Sequence, residues 1–142
     1  MLYTGYIFAV MDVLLIDDHP IIHETLRAIV RSVRPEAQFH SQFDLAAGLS
    51  QASRLDELEL VLLDLGLPGC TDMDALEQFR KALPGVRVAV ISADDDPERV
   101  HSALEAGAAG YLLKTLRPKA MAAALRVILG GGTYSPPLGA GQ

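Results

Sequence analysis

Asp17 and Asp18, Asp64, Ser92 and Lys114 each stand directly after a short apolar run. Three carboxylates brought together repel one another, so without a cation at least one pKa must rise. A hard divalent ion removes that conflict, and Mg²⁺ prefers oxygen ligands while retaining some waters. Lys114 adds a compact positive charge and Ser92 a hydroxyl. A site of this make-up is suited to hold a phosphoryl group on a carboxylate oxygen. Asp64 follows the most continuous run, Leu60-Val61-Leu62-Leu63, and is the best acceptor.

These residues can act together only if the chain gathers its strand ends at one edge, and the hydrophobic pattern predicts that it does. Val13-Leu14-Leu15-Ile16 reads as a buried parallel strand. Pro20 opens a helix whose Ile22, Leu26, Ile29, Val30 and Val33 share one face. A second strand is expected over 37–41 and a helix over 43–53. The third strand runs into Asp64, and a loop with Gly66, Pro68 and Gly69 follows. The spacing predicts a helix over 72–83, a strand over 86–91 ending at Ser92, and a helix over 97–106 closed by Gly107. A fifth strand over 109–113 ends at Lys114, and a fifth helix covers 118–129. Five such units imply an α/β fold, a doubly wound five-stranded parallel sheet with five helices. In that fold ligands bind at the carboxyl ends of the strands.

Composition narrows the function. The 142 residues suit one domain, and 50% hydrophobic with 21% charged residues affords a sizeable core. A net charge of −6 argues against binding nucleic acid through this chain itself. The single cysteine, Cys70, allows no internal disulfide, which fits a cytoplasmic location. The apolar start is shorter than the roughly 20 residues a membrane span needs, so no membrane association is expected. Residues 1–10 read as an N-terminal extension before a domain over 11–132. The Gly- and Pro-rich segment 133–142 reads as the start of a linker, with no output domain after it. His19, His23, His40 and His101 read as ordinary surface or capping residues, and Asp94-Asp95-Asp96 as an acidic helix start.

Four segments taken together resemble the receiver domain of two-component response regulators, the CheY-like (flavodoxin-like) fold. They are Leu14-Leu15-Ile16-Asp17-Asp18-His19-Pro20, Leu63-Asp64-Leu65-Gly66-Leu67-Pro68-Gly69, Val90-Ile91-Ser92-Ala93 and Gly110-Tyr111-Leu112-Leu113-Lys114. The first and last resemble the NarL/LuxR-type subfamily, whose members usually carry a C-terminal DNA-binding domain. The resemblance implies that Asp64 is the phosphoacceptor for a sensor histidine kinase. It implies Mg²⁺ as cofactor, with Asp18 a direct ligand, Asp17 assisting, and Asp64 and the backbone carbonyl of Gly66 completing the protein ligands. It makes Ser92 the switch hydroxyl, Lys114 the phosphoryl contact and Tyr111 the switch aromatic. No enzyme activity on an external substrate is implied. Two segments depart from the family pattern. Cys70-Thr71-Asp72 follows Pro68-Gly69 where Met-Asp-Gly is common, and Thr115 stands where proline is common.

Two other readings compete. One is a stand-alone or atypical receiver that binds partners without phosphate. The other is an aspartyl phosphatase, which would place its nucleophile after the first strand rather than the third. The expected output surface lies around the fourth helix, fifth strand and fifth helix, where Ala120, Ala123 and Ala124 make a small, flat face for a partner or a second copy.

Overall fold

The computed structural model describes residues 10–70 and 73–137 of the chain. Strands β1 (Met11–Ile16), β2 (Ala37–Gln42), β3 (Leu58–Asp64), β4 (Arg87–Ser92) and β5 (Gly110–Leu113) alternate with helices α1 (Pro20–Val33), α2 (Leu45–Ala52), α3 (Asp74–Ala82), α4 (Pro97–Glu105) and α5 (Pro118–Leu129). All strand pairs are parallel, in the order β2-β1-β3-β4-β5. The doubly wound sheet expected from the sequence is therefore the fold.

Strand alternation divides the core in two. Val13, Leu15, Leu60, Leu62, Ala89, Ile91 and Leu112 face α1 and α5, where Leu26, Val30, Leu125 and Ile128 cover them. Leu14, Ile16, Val61, Leu63, Val88, Val90 and Tyr111 face α2, α3 and α4, under Leu76, Phe79 and Val100. Full burial of each such side chain contributes roughly 1.5–3 kcal/mol, so both layers contribute to holding the sheet between the helices. Along each central strand the residues are buried on both faces, which is why they read as unbroken apolar runs.

Helix ends follow local chemistry. Pro20 occupies the first turn of α1, where a missing N–H costs nothing. Helix α2 begins at Leu45 rather than at Phe43, because Asp44 caps it by accepting the Ala47 N–H at 2.8 Å. Asp96 caps α4 in the same way through the Glu98 N–H. Gly107, at φ +99°, ends α4, with its N–H donating to Leu104 and that of Ala108 to Ala103. Helix α3 starts at Asp74, and the expected start at Asp72, like the Thr71-Asp72 departure, lies outside the described residues. So does most of the extension, 1–9, and the tail over 138–142.

The expected boundary at 132 falls short of the packed chain. Tyr134 bridges to Gly110, exchanging backbone bonds with Ala109 and Tyr111 at 3.1 Å, and lengthens the exposed edge beyond β5. Pro136 is buried after it. Gly and Pro content alone gave no sign of this pairing.

Candidate functional site

The strand order turns at β1, which has β2 on one side and β3 on the other. Chain leaving β1 and β3 diverges there and opens a crevice above the carboxyl ends. Asp17 follows the last residue of β1, Asp64 and Ser92 are the last residues of β3 and β4, and Lys114 follows β5. Ladder pairing sets Ile16 beside Leu63, Asp64 beside Ile91, and Ser92 beside Leu113. A cleft of about 340 Å³ results, lined by His19, Asp64, Gly66, Ser92, Arg99 and Lys114 among others.

Lys114 is the hub. Its Nζ lies 2.8 Å from Asp17 Oδ2 and 3.2 Å from Asp64 Oδ2, and its side chain is only 12% exposed. Asp64 Oδ1 accepts the Gly66 N–H at 2.8 Å, which fixes the carboxylate plane. Asp17 is fully buried, and its Oδ1 accepts the His19 N–H at 2.8 Å. Neither Asp17 nor Asp18 is the N-cap of α1. That position is His19, and no side chain caps the helix.

Asp17, Asp18, His19 and Asp64 each bring one donor atom to within 4.8 Å of the others. Three carboxylates against one ammonium leave two negative charges uncompensated. Asp17 Oδ2 is buried without a hydrogen-bond partner, because the nearby Lys114 ammonium meets it as an ion pair outside hydrogen-bond geometry. A buried carboxylate oxygen in that state fits a divalent cation with hard oxygen ligands. The residues present therefore suit Mg²⁺.

The hydroxyl of Ser92 accepts the Asp94 N–H at 3.0 Å and is nearly buried. Tyr111 is fully buried, and its hydroxyl donates to the Asp94 carbonyl at 2.7 Å. Burial, with the charge of Asp94 beside it, pushes its pKa above the ordinary tyrosine value. The ring fits the apolar layer under α4, and the Asp94 carbonyl satisfies the hydroxyl. Burial, together with the charges of Asp64 and Asp74, also raises the pKa of the half-buried Cys70 thiol. That keeps it protonated and a poor nucleophile.

Two histidines read as ordinary surface or capping residues meet the site: His19, exposed at the N-cap of α1 as expected, also faces the carboxylates, and His23 is buried instead of lying at the surface. His19 Nδ1 lies 2.8 Å from Asp17 Oδ1, 3.2 Å from Asp18 Oδ1 and 3.2 Å from Lys114 Nζ. His23 is buried and donates from Nε2 to the Asp17 carbonyl at 2.6 Å, with its ring against Phe43. The signal for His19 was its place directly after the paired aspartates. For His23 it was the helical spacing to Leu26 and Val30 on the buried face. His101 is exposed beside Glu105, as expected, while His40 is half-buried against Asp12 at 2.9 Å. Ala124 packs on the sheet, whereas Ala120 and Ala123 are exposed, so only part of the expected flat face is available.

Comparison with known proteins gives a consistent picture. The family model described as response regulator receiver domain matches residues 13–126. The transcriptional regulatory protein MctR of Rhizobium johnstonii is 36% identical over 126 residues, 86% of this chain and 56% of that protein. The glycerol metabolism activator of Pseudomonas putida is 33% identical over 125 residues, 88% of this chain and 57% of that protein. The nitrate/nitrite response regulator NarL of Escherichia coli is 33% identical over 84% of this chain and 55% of its own. The chain spans little more than half the length of these relatives. A LuxR family DNA-binding response regulator from Silicibacter pomeroyi superposes with a TM-score of 0.78 at 25% identity, over 92% of this chain and all of that one. The isolated REC domain of RcsB from Salmonella enterica shares the fold, with a TM-score of 0.78 at 21% identity, over 90% of this chain and 94% of that one.

Proposed function

Since this chain belongs to the receiver domain family of two-component response regulators, of the NarL/LuxR type, we propose that it accepts a phosphoryl group on Asp64 from a sensor histidine kinase. The observation that carries this reading is the pairing of Lys114 Nζ with both Asp17 Oδ2 and Asp64 Oδ2 at the mouth of the cleft. An Asp64 oxygen attacks the phosphorus of the kinase phosphohistidine. The phosphorus–nitrogen bond breaks as the phosphorus–oxygen bond forms, and the imidazole leaves. Lys114 stays within reach of the acyl phosphate and offsets its charge. Asp17, Asp18, Asp64 and the Gly66 carbonyl would hold Mg²⁺, which when bound neutralises charge on the transferring group. The Gly66 N–H keeps the acceptor carboxylate oriented.

Receiver domains act as regulators rather than as enzymes on external substrates, and this chain is its own phosphoryl acceptor. The consequence of phosphorylation runs through Ser92. A phosphoryl oxygen on Asp64 would accept from the Ser92 O–H and turn the hydroxyl whose oxygen accepts the Asp94 N–H, and Asp94 is also the partner of the Tyr111 hydroxyl. Re-setting that loop moves the start of α4, so the face formed by α4, β5 and α5 is the proposed output surface. A second copy, or a DNA-binding domain C-terminal to the linker, would read it. Among the described residues no helix is long and apolar enough to cross a membrane, and the reading places the chain in the cytoplasm. Treating the chain with acetyl phosphate and Mg²⁺, then mapping the added mass, tests the acceptor. Label on Asp64 is expected, and label on another residue, or none, would overturn the assignment.

A further inference from the structure

We infer that His23 is a positioning residue for the cation site, because its imidazole N–H fixes the peptide that joins Asp17 to Asp18 and so aims the Asp18 carboxylate at the cleft. The inference rests on the reading that Asp17, Asp18 and Asp64 hold Mg²⁺, and adds to it a residue outside the ligand set. His23 Nε2 donates to the Asp17 carbonyl at 2.6 Å, from six residues further along the chain. That carbonyl lies outside the hydrogen-bond ladder of α1, whose first turn sends the Ile22 N–H to the His19 carbonyl at 3.1 Å. The Asp17 carbonyl and the Asp18 N–H belong to one planar unit. A donor that holds one end of the plane therefore sets the direction in which the chain enters Asp18.

The end of β2 supports this arrangement. Gln42 accepts the Asp17 N–H on its carbonyl at 3.1 Å, and the next residue, Phe43, sets its ring 4.2 Å from that of His23. The Asp17 backbone is thus held at its N–H by β2 and at its carbonyl by α1, while Oδ1 accepts the His19 N–H and Oδ2 meets Lys114. Asp18, with a side chain 37% exposed, depends on its backbone for direction in a way that the buried Asp17 does not. Packing alone does not account for the imidazole. The ring is buried, and its Nδ1 has no hydrogen-bond partner, a cost that an apolar side chain of similar size would avoid. What the imidazole supplies in return is the N–H at the Asp17 carbonyl. Residues that orient metal ligands in this way are a recurring second layer around cation sites.

Substitutions at this position separate the donor from the bulk. His23→Leu fills the space without a donor, whereas His23→Gln carries an amide N–H to the place of Nε2. Calorimetric titration with Mg²⁺ reads the cation site, and NMR relaxation reads the Asp18 amide in the metal-free protein. His23→Leu should weaken Mg²⁺ binding by about tenfold, the lower end of what such orienting residues carry. It should also loosen the Asp18 amide before any metal is added. His23→Gln should return both readouts toward wild type. His23→Met, a second variant without a donor, replaces His23→Leu should that chain not fold. Wild-type Mg²⁺ affinity in the donor-free variant would overturn the inference. So would an equal loss in His23→Gln, which marks a residue that only fills space. Asp18→Ala separates that failure from failure of the cation reading. If Asp18→Ala loses Mg²⁺ while His23→Leu keeps it, the role of His23 alone is wrong. If Asp18→Ala keeps Mg²⁺, the carboxylate set is wrong and the inference falls with it.

Discussion

Asp64→Asn should make the metal-free protein more stable while removing its capacity to be phosphorylated. The asparagine is a near-isostere, and its carbonyl oxygen can still accept the Gly66 N–H that Asp64 Oδ1 accepts at 2.8 Å. What changes is charge. The ligand atoms of Asp17, Asp18, His19 and Asp64 all lie within 4.8 Å of one another, and at that outer bound two carboxylates at an effective dielectric of about 20 repel by roughly 3.5 kcal/mol. Asp64 faces two such partners, so gross repulsion is roughly 7 kcal/mol, against about 5 kcal/mol of attraction to Lys114 Nζ at 3.2 Å. The balance is about 2 kcal/mol unfavourable, and solvent at the part-exposed Asp18 trims it, leaving about 1–2 kcal/mol. Urea unfolding without divalent ions should therefore show a higher midpoint for Asp64→Asn at an unchanged slope. Adding Mg²⁺ at ten times its Kd stabilises wild type by about 1.4 kcal/mol, and the variant should gain less. A variant less stable than wild type without metal, or an equal response to Mg²⁺, would refute the electrostatic account of the site.

Three further outcomes are expected. Ser92→Ala should still take up phosphate on Asp64, yet lose the phosphorylation-dependent change in self-association, a coupling of about 1–3 kcal/mol. Sedimentation with and without a phosphoryl mimic measures it, and a full response in the variant excludes Ser92 as the relay. Tyr111 has a raised pKa in the fold, so the stability it contributes is complete below pH 10, the ordinary value, and is lost as pH rises through the folded pKa. Tyr111→Phe should flatten the fall in urea midpoint above pH 10, and an identical pH profile would show that the buried hydroxyl is not the titrating group. Ending the chain after Gly132 should lower stability and speed amide exchange at Tyr111, whose N–H donates to the Tyr134 carbonyl. Unchanged exchange would mean that the bridge to β5 carries no weight.

The sequence by itself determined the layered sheet, because each buried strand is a contiguous apolar run and each helix a repeating stripe, and those periods are local. It also determined which residues end the strands, and hence that Asp17, Asp64, Ser92 and Lys114 share one edge. Turn residues marked the helix ends where the signal was a single side chain, as at Pro20, Asp96 and Gly107. Contacts between residues distant in the chain were decided only in three dimensions. Lys114 reaches both Asp17 and Asp64 because β5, β3 and β1 end at one level, and nothing in its local segment specifies that distance. Tyr134 pairs with β5 because an open strand edge offers unpaired backbone groups to whatever chain passes beside it. His19 and His23 belong to the site for a similar reason. One turn of α1 carries His19 out over the carboxylates and turns His23 back under the Asp17 carbonyl. Residue type could suggest a surface histidine for either, but only the direction of the helix against the sheet decides which atoms they meet.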